Sequence, residues 1–221
     1  MPIVKKKDFI EVEYTGRLKD GNIVFDTTYE AVAKEAGIHS KHMVYGPVVI
    51  CLGEGQLIKG LEKELEGKEL GKEYSIELSP ENAFGKKDAK LIKMIPASAF
   101  RKQNISPEPG MQVNVDGLLG IVKTAAGGRC LVDFNHPLSG KDIVYKIKIN
   151  KIIIDDKEKI KSYIALSLNF KDINVDVKEG IAEISSKKEI PKEIQKVMAE
   201  KLKELVPSVK EFKFKKVTQK E

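Results

Sequence analysis

Strand patterning in this chain stops near Phe84 and resumes near His136, so a sheet-forming region is interrupted by something else. Before the break, Phe9-Ile10-Glu11-Val12-Glu13-Tyr14-Thr15 alternates apolar and polar side chains, as a strand with one buried face does. Lys19-Asp20-Gly21-Asn22 supplies a turn, Ile23-Val24-Phe25-Asp26 a second strand, and Val48 to Leu52 a continuous apolar run suited to a buried strand. After Gly53-Glu54-Gly55, Leu57, Ile58, Leu61 and Leu65 recur at helical spacing. That predicts a short helix begun by Leu57 and Ile58 and stopped by Gly67. Tyr74-Ser75-Ile76-Glu77-Leu78 alternates again up to Ser79-Pro80, and beyond the break Ile143 to Ile149 does the same. Several strands and one short helix predict an α+β fold, an antiparallel sheet wrapped over that helix.

The interruption has strand signals of its own at Leu91 to Ile95, Gln112 to Val115 and Leu118 to Lys123. Ala126-Gly127-Gly128 makes a hairpin turn before Cys130-Leu131-Val132, and Pro96 opens a short helix. It reads as a mostly β domain inserted into a loop, which folds tolerate where the two loop ends lie close together. A third region follows Ile154. Ile160, Tyr163, Ile164 and Leu168 form one helical stripe, and Ile194, Val197, Met198, Leu202, Leu205 and Val206 form another. Strands at Ile173 to Val177, Ile181 to Ile184 and around Phe212 and Phe214 complete a small α-β-β-α-β domain. The expected divisions are residues 1–86 with 132–154, an inserted domain at 87–131, and a C-terminal domain at 155–221.

Composition narrows the function classes. Apolar residues make up 41% of the 221, too many for a disordered chain. Two cysteines, Cys51 and Cys130, do not make a disulfide scaffold. No apolar run approaches the length of a bilayer span, and the segment from Met1 to Asp8 lacks the apolar stretch of a signal peptide. A cytoplasmic location is expected, with no membrane partner. Of the 39 basic residues only Arg17, Arg101 and Arg129 are arginine. Base-reading surfaces lean on arginine forks, so nucleic acid is not an expected partner.

Catalytic signatures are sparse. Gly53-Glu54-Gly55 lacks the third glycine of a dinucleotide loop. Cys51 and Cys130 sit inside apolar runs and read as small core residues. His39 and His42 are two ligands where a metal site needs three or four. No cofactor and no metal are expected.

Four fragments in order are more telling: Tyr14-Thr15-Gly16, then Phe25-Asp26, then Gly53-x-Gly-Gln56-Leu57-Ile58-Lys59-Gly60-Leu61-Glu62, then Ala83-Phe84-Gly85. Together they resemble the FKBP-type peptidyl-prolyl cis/trans isomerases, over about half the chain. The insertion after Ala83-Phe84-Gly85, with return through Asn135-His136-Pro137-Leu138-Ser139-Gly140, is similar to SlyD-type members, whose insert-in-flap domain binds unfolded chains. The third region resembles that of the long archaeal members. The resemblance implies a folding enzyme whose partners are unfolded polypeptides and X-Pro segments.

The same resemblance implies an apolar proline pocket from Tyr14, Phe25, Asp26, Val48, Leu57, Ile58, Leu61, Phe84 and Tyr145. Leu61 would be its floor, the Ile58 N–H would hold a substrate carbonyl, and Asp26 would act electrostatically or through Tyr14. Taken singly, the apolar members of this set read as core. Leu61 stands where many members have Trp and Phe84 where many have Tyr, which removes a hydroxyl donor. Turnover is expected to survive because the pocket stays apolar, while the resemblance leaves tight macrolide binding open. A holdase chaperone with little turnover is the alternative function. In the inserted domain, exposed Met94, Ile95, Phe100, Met111, Leu118 and Leu119 would hold clients, or else form its core. Open strand edges in the C-terminal domain suggest homodimerisation there.

Overall fold

The computed structural model describes residues 2–170 and 172–217; the expected C-terminal domain ends, at 218–221, outside the described residues. In chain order the elements are β1 (Phe9–Leu18), β2 (Val24–Thr27), α1 (Glu30–Glu35), β3 (Val48–Cys51), α2 (Lys59–Leu65), β4 (Glu73–Leu78), β5 (Ile92–Pro96), α3 (Ala97–Arg101) and β6 (Gln112–Val115). There follow β7 (Leu118–Ala126), β8 (Arg129–Asp133), β9 (Ile143–Ile152), α4 (Asp156–Leu168), β10 (Ile173–Lys178), β11 (Ile181–Ser186), α5 (Lys192–Leu205) and β12 (Glu211–Lys216). The fold is α+β, with mostly antiparallel sheets. No helix among the described residues is long and apolar enough to cross a membrane.

Among the described residues two compact units emerge, one from 2–78 with 143–217 and one from 79–142. In the first, a five-stranded sheet runs β2-β1-β9-β4, and β3 pairs with the N-terminal half of β1. The long strands β1 and β9 pair antiparallel from Ile10↔Ile152 to Leu18↔Ile143. In β9 the buried residues alternate as the sequence predicts, with Ile143, Tyr145, Ile147 and Ile149 inward and Lys146 and Lys148 outward. The three-stranded sheet β10-β11-β12 lies in the same unit, β12 joining β11 in parallel through α5.

The core of that second sheet and its helices extends onto the first sheet. Ile160, Tyr163, Ile164, Val175, Ile184 and Leu202 share one apolar cluster with Phe9 of β1, Cys51 of β3 and Ile153 just after β9. The C-terminal α-β-β-α-β segment is thus a layer laid against the back of the first sheet. Burial pushes the Cys51 thiol up to about 12, as expected of a core cysteine rather than a nucleophile.

The unit at 79–142 holds the sheet β5-β8-β7-β6 over a small core of Phe100, Val113, Val122, Cys130 and Val132. β7 and β8 are joined by Gly127 and Gly128 at φ 57° and 73°, a hairpin turn requiring two left-handed residues. Its two ends are tied within the unit. Gly140 N–H donates to Gly85 O at 2.8 Å, the Ser139 hydroxyl to Phe84 O at 3.0 Å, and the Asp88 N–H to Asn135 Oδ1 at 2.8 Å. The unit therefore begins and ends outside the 87–131 segment that strand signals alone delimit.

Candidate active site

Strand register brings the first group of residues together. Gly16 on β1 lies opposite Asp26 on β2 and Tyr145 on β9, so three adjacent strands present these positions abreast. Side chains abreast in a sheet share a face, and Tyr14, two residues earlier, shares it too. The Tyr14 and Tyr145 rings meet edge to face at 5.7 Å and 68°; Phe25 and Tyr145 do so at 5.7 Å and 89°.

Gly16 makes this cluster sterically feasible. A Cβ there would stand 2.8 Å from Phe25 Cζ and 2.9 Å from Tyr145 Cε1, closer than carbon atoms approach. The glycine is a floor on which two rings rest, a demand of space rather than of backbone angle.

Asp26 is half-buried among these rings. Burial raises its carboxyl above the ordinary value, and hydrogen bonds from the Tyr14 hydroxyl and the Thr27 backbone partly oppose that rise. Tyr14 is pushed up in turn by burial, by the Asp26 charge and by donating to it, and Tyr145 by burial first and Asp26 second. Both hydroxyls stay protonated through the neutral range and remain donors.

Two buried threonines lock the end of β2. Tyr14 N–H donates to Thr28 Oγ1 at 2.9 Å, Thr28 N–H returns a bond to Tyr14 O at 2.9 Å, and the Thr27 and Thr15 hydroxyls meet at 2.8 Å. Helix α1 then starts at Glu30 with Tyr29 as N-cap, so Asp26 is not spent on capping that helix.

The second group sits at the entry to α2. Its first helical residue is Lys59, not Leu57: Ile58 is the N-cap, with φ −56° and ψ 130°. The loop ahead of that boundary is held by a side chain of the helix itself. Buried Glu62 turns its carboxylate back on the loop and accepts from Gly53 N–H at 3.1 Å, Gly55 N–H at 3.2 Å and Leu57 N–H at 3.0 Å. Those amides are held outside the helix, and Ile58 precedes it with no intrahelical acceptor for its N–H. Gln56 Oε1 takes the Cys51 N–H at 2.7 Å, fastening the loop to β3. Leu57 and Ile58 are half-buried and Leu61 is fully buried. Val48 lies opposite Val12 on β1, on the Tyr14 face by register.

Phe84 belongs to the other unit. It stacks on His136 there, the ring centroids 4.7 Å apart and 2° from parallel. His39 stacks on Tyr45 at 5.2 Å, its Nε2 3.3 Å from Glu30 Oε1. Sequence reasoning gave no role to Glu62, Thr27 or Thr28. For Glu62 a signal existed, a carboxylate following two glycines whose amides need an acceptor.

The structure thus presents an aromatic and carboxylate cluster across three adjacent strands and a helix entry whose preceding loop is pinned by a carboxylate. A family model described as "FKBP-type peptidyl-prolyl cis-trans isomerase" matches residues 2–105, and one described as "FKBP26, IF domain" matches residues 93–138. A Methanocaldococcus jannaschii "Short-type peptidyl-prolyl cis-trans isomerase" is 33% identical over 150 residues, 68% of this chain and 94% of that protein. An Escherichia coli "FKBP-type 16 kDa peptidyl-prolyl cis-trans isomerase" is 29% identical over 67% of this chain and 93% of its own. A Vibrio cholerae "FKBP-type peptidyl-prolyl cis-trans isomerase SlyD" is 28% identical over 58% of this chain and 65% of its own. The chain belongs to the FKBP-type peptidyl-prolyl cis-trans isomerases and is an enzyme of that type, with SlyD-like relatives.

Proposed function

We propose that isomerisation occurs in an apolar cavity formed by Tyr14, Phe25, Asp26, Val48, Leu57, Ile58, Leu61 and Tyr145, without covalent chemistry. The observation that carries this is the register placing Gly16, Asp26 and Tyr145 abreast, with Tyr14 and Phe25 against Tyr145. Rotation about an X–Pro amide is opposed by a barrier of about 18–20 kcal/mol from C–N double-bond character. Twisting the bond destroys resonance and lowers the amide's polarity. Water favours the planar, polar ground state, and a water-poor ring-lined cavity withdraws that preference. The Ile58 N–H holds a substrate carbonyl, and Asp26, held by Tyr14, supplies fixed charge beside the twisting group. No proton changes hands.

The same chain acts as a folding chaperone through residues 79–142. Supporting this, Met94, Leu118 and Leu119 are 61%, 55% and 61% exposed. Phe100, in contrast, is core, and Ile95 and Met111 pack against it. Flexible Met and Leu side chains suit varied clients, and tethering raises the effective concentration of a held segment at the pocket. We place the chain with the long archaeal members, dimerising through β10 or β12, each an edge of its sheet. A cytoplasmic location fits two buried, unpaired cysteines.

Proline-limited refolding of a client, run beside short-peptide turnover, tests this. Asp26→Ala is expected to lower both. Glu at positions 94, 118 and 119 together is expected to spare peptide turnover and remove the refolding advantage. Equal losses in both assays reject cooperating sites. Suppressed aggregation with an unchanged slow phase means a holdase. Light scattering tests the dimer, which a monomer at every concentration rejects.

A further inference from the structure

The turn between β3 and α2 is gripped from a direction the catalytic elements do not supply. Glu54, at its tip, has a side chain only 12% exposed, and Lys201 Nζ on α5 stands 2.9 Å from its Oε2. The Tyr163 hydroxyl, on α4, reaches the same oxygen at 3.5 Å. Lys201 also pairs with Glu204 at 3.3 Å, and Glu204 with Lys7 just ahead of β1 at 2.9 Å. These residues all lie in one compact unit.

A nearly buried carboxylate needs a partner, and removing one member of such a pair costs more than the pair itself contributes. The turn carrying Glu54 is the one whose 53, 55 and 57 amides are held by Glu62. Its next residue, Ile58, caps the helix that Glu62 belongs to. The turn is therefore fastened twice, by Glu62 from α2 and by Lys201 and Tyr163 from the C-terminal layer. Lys201 also sets a positive charge beside a turn that carries the Glu54 carboxylate and is held by that of Glu62.

We infer that the C-terminal layer positions the isomerase pocket, with Lys201 and Tyr163 acting as positioning residues that fix the 53–57 turn, and so the Ile58 amide, through Glu54. The C-terminal layer thereby serves catalysis although none of its residues touches substrate. This rests on the assignment of Leu57 and Ile58 to the substrate pocket.

The full chain is assayed as Lys201→Ala, Lys201→Arg, Tyr163→Phe, Glu54→Gln and the Lys201→Ala/Glu54→Gln pair. The readouts are kcat/KM on an X-Pro peptide and the amide NMR positions of Gly55, Leu57 and Ile58. Amides of Val175 and Ile184 report on the C-terminal core. Lys201→Ala is expected to lower kcat/KM about three- to tenfold, a coupling of the size neighbouring charges show. It should move the turn amides while the core amides stay. Lys201→Arg should retain most activity, Tyr163→Phe should lose less, and the pair should be no worse than Glu54→Gln alone. Turn amides that stay in place in Lys201→Ala overturn the clamp itself. Turn amides that move with kcat/KM unchanged overturn the inference through the pocket assignment, and fully additive losses in the pair overturn the route through Glu54.

Discussion

Asp26 is placed where its charge is costly, and this sets two pH dependences. Its carboxyl titrates above the ordinary value because burial outweighs the hydrogen bonds from Tyr14 and Thr27. A raised acid binds its proton more tightly in the folded state, so its favourable contribution to stability is present below the ordinary carboxylate pKa. That contribution is lost as pH rises through the raised one. Asp26→Asn is therefore expected to melt at or above wild type at neutral pH, an advantage that vanishes in acid; calorimetry across that range checks it. Catalysis should run the other way. Wild-type kcat/KM should fall toward acid with a midpoint above that of free aspartate, and Asp26→Asn should be slower and lack that limb. A second residue-scale test is Gly16→Ala. The added methyl meets Phe25 and Tyr145 at 2.8 and 2.9 Å, so the rings must move. Overpacking of this kind costs about 1–3 kcal/mol, and peptide turnover should fall more than the melting temperature suggests. An active, normally stable Gly16→Ala protein would overturn the proposal that these rings line the pocket.

At the scale of the element, the α2 entry shows what pattern reading captures and what it misses. Leu57, Ile58, Leu61 and Leu65 do recur at helical spacing, yet the helix begins only at Lys59. Periodicity records which side chains turn inward; it cannot register that Glu62 holds the loop amides of Gly53, Gly55 and Leu57 ahead of the helix. Glu62→Ala is expected to cost about 1–3 kcal/mol for each amide left buried without an acceptor, less where water reaches it. Glu62→Gln, which keeps one oxygen, should cost less. Urea unfolding measures the cost, and faster hydrogen exchange at Gly53, Gly55 and Leu57 locates it. Strands were more legible: Ile143 to Ile149 carries one buried face and a period of two leaves little choice, while Phe9 and Ile10 on the other long strand are both buried, on opposite faces. Glycine at 16 carried no periodic signal; only the register with Asp26 and Tyr145 reveals why it is there. In the insertion, the sequence left Met94 and Phe100 equivalent as apolar residues. The sheet separates them, Phe100 at 3% exposure and Met94 on the open face.

For the whole molecule, the decisive fact is that the C-terminal layer and the first sheet share one apolar cluster. The α-β-β-α-β order was readable from two helical stripes and three short strands. Its dependence on the first sheet was not, because Phe9, Cys51 and Ile153 look locally like any buried strand residues. They turn out to face Ile160, Ile164 and Leu202 rather than the interior of their own sheet. A chain ending at Asp155 would expose them. Uncovering a large apolar side chain costs about 1.5–3 kcal/mol, and several are uncovered at once, so the shortened chain should melt well below the full one and aggregate. The full chain should also unfold residues 2–78 and 143–217 in one transition, because the two parts share one apolar cluster. Scanning calorimetry with hydrogen exchange at Ile10, Ile147, Ile164 and Ile184 distinguishes the cases. Common exchange protection at all four amides is expected. Early exchange confined to Ile164 and Ile184, with Ile10 and Ile147 still protected, would mean a C-terminal layer that opens by itself, and then Lys201 could not hold the 53–57 turn steadily.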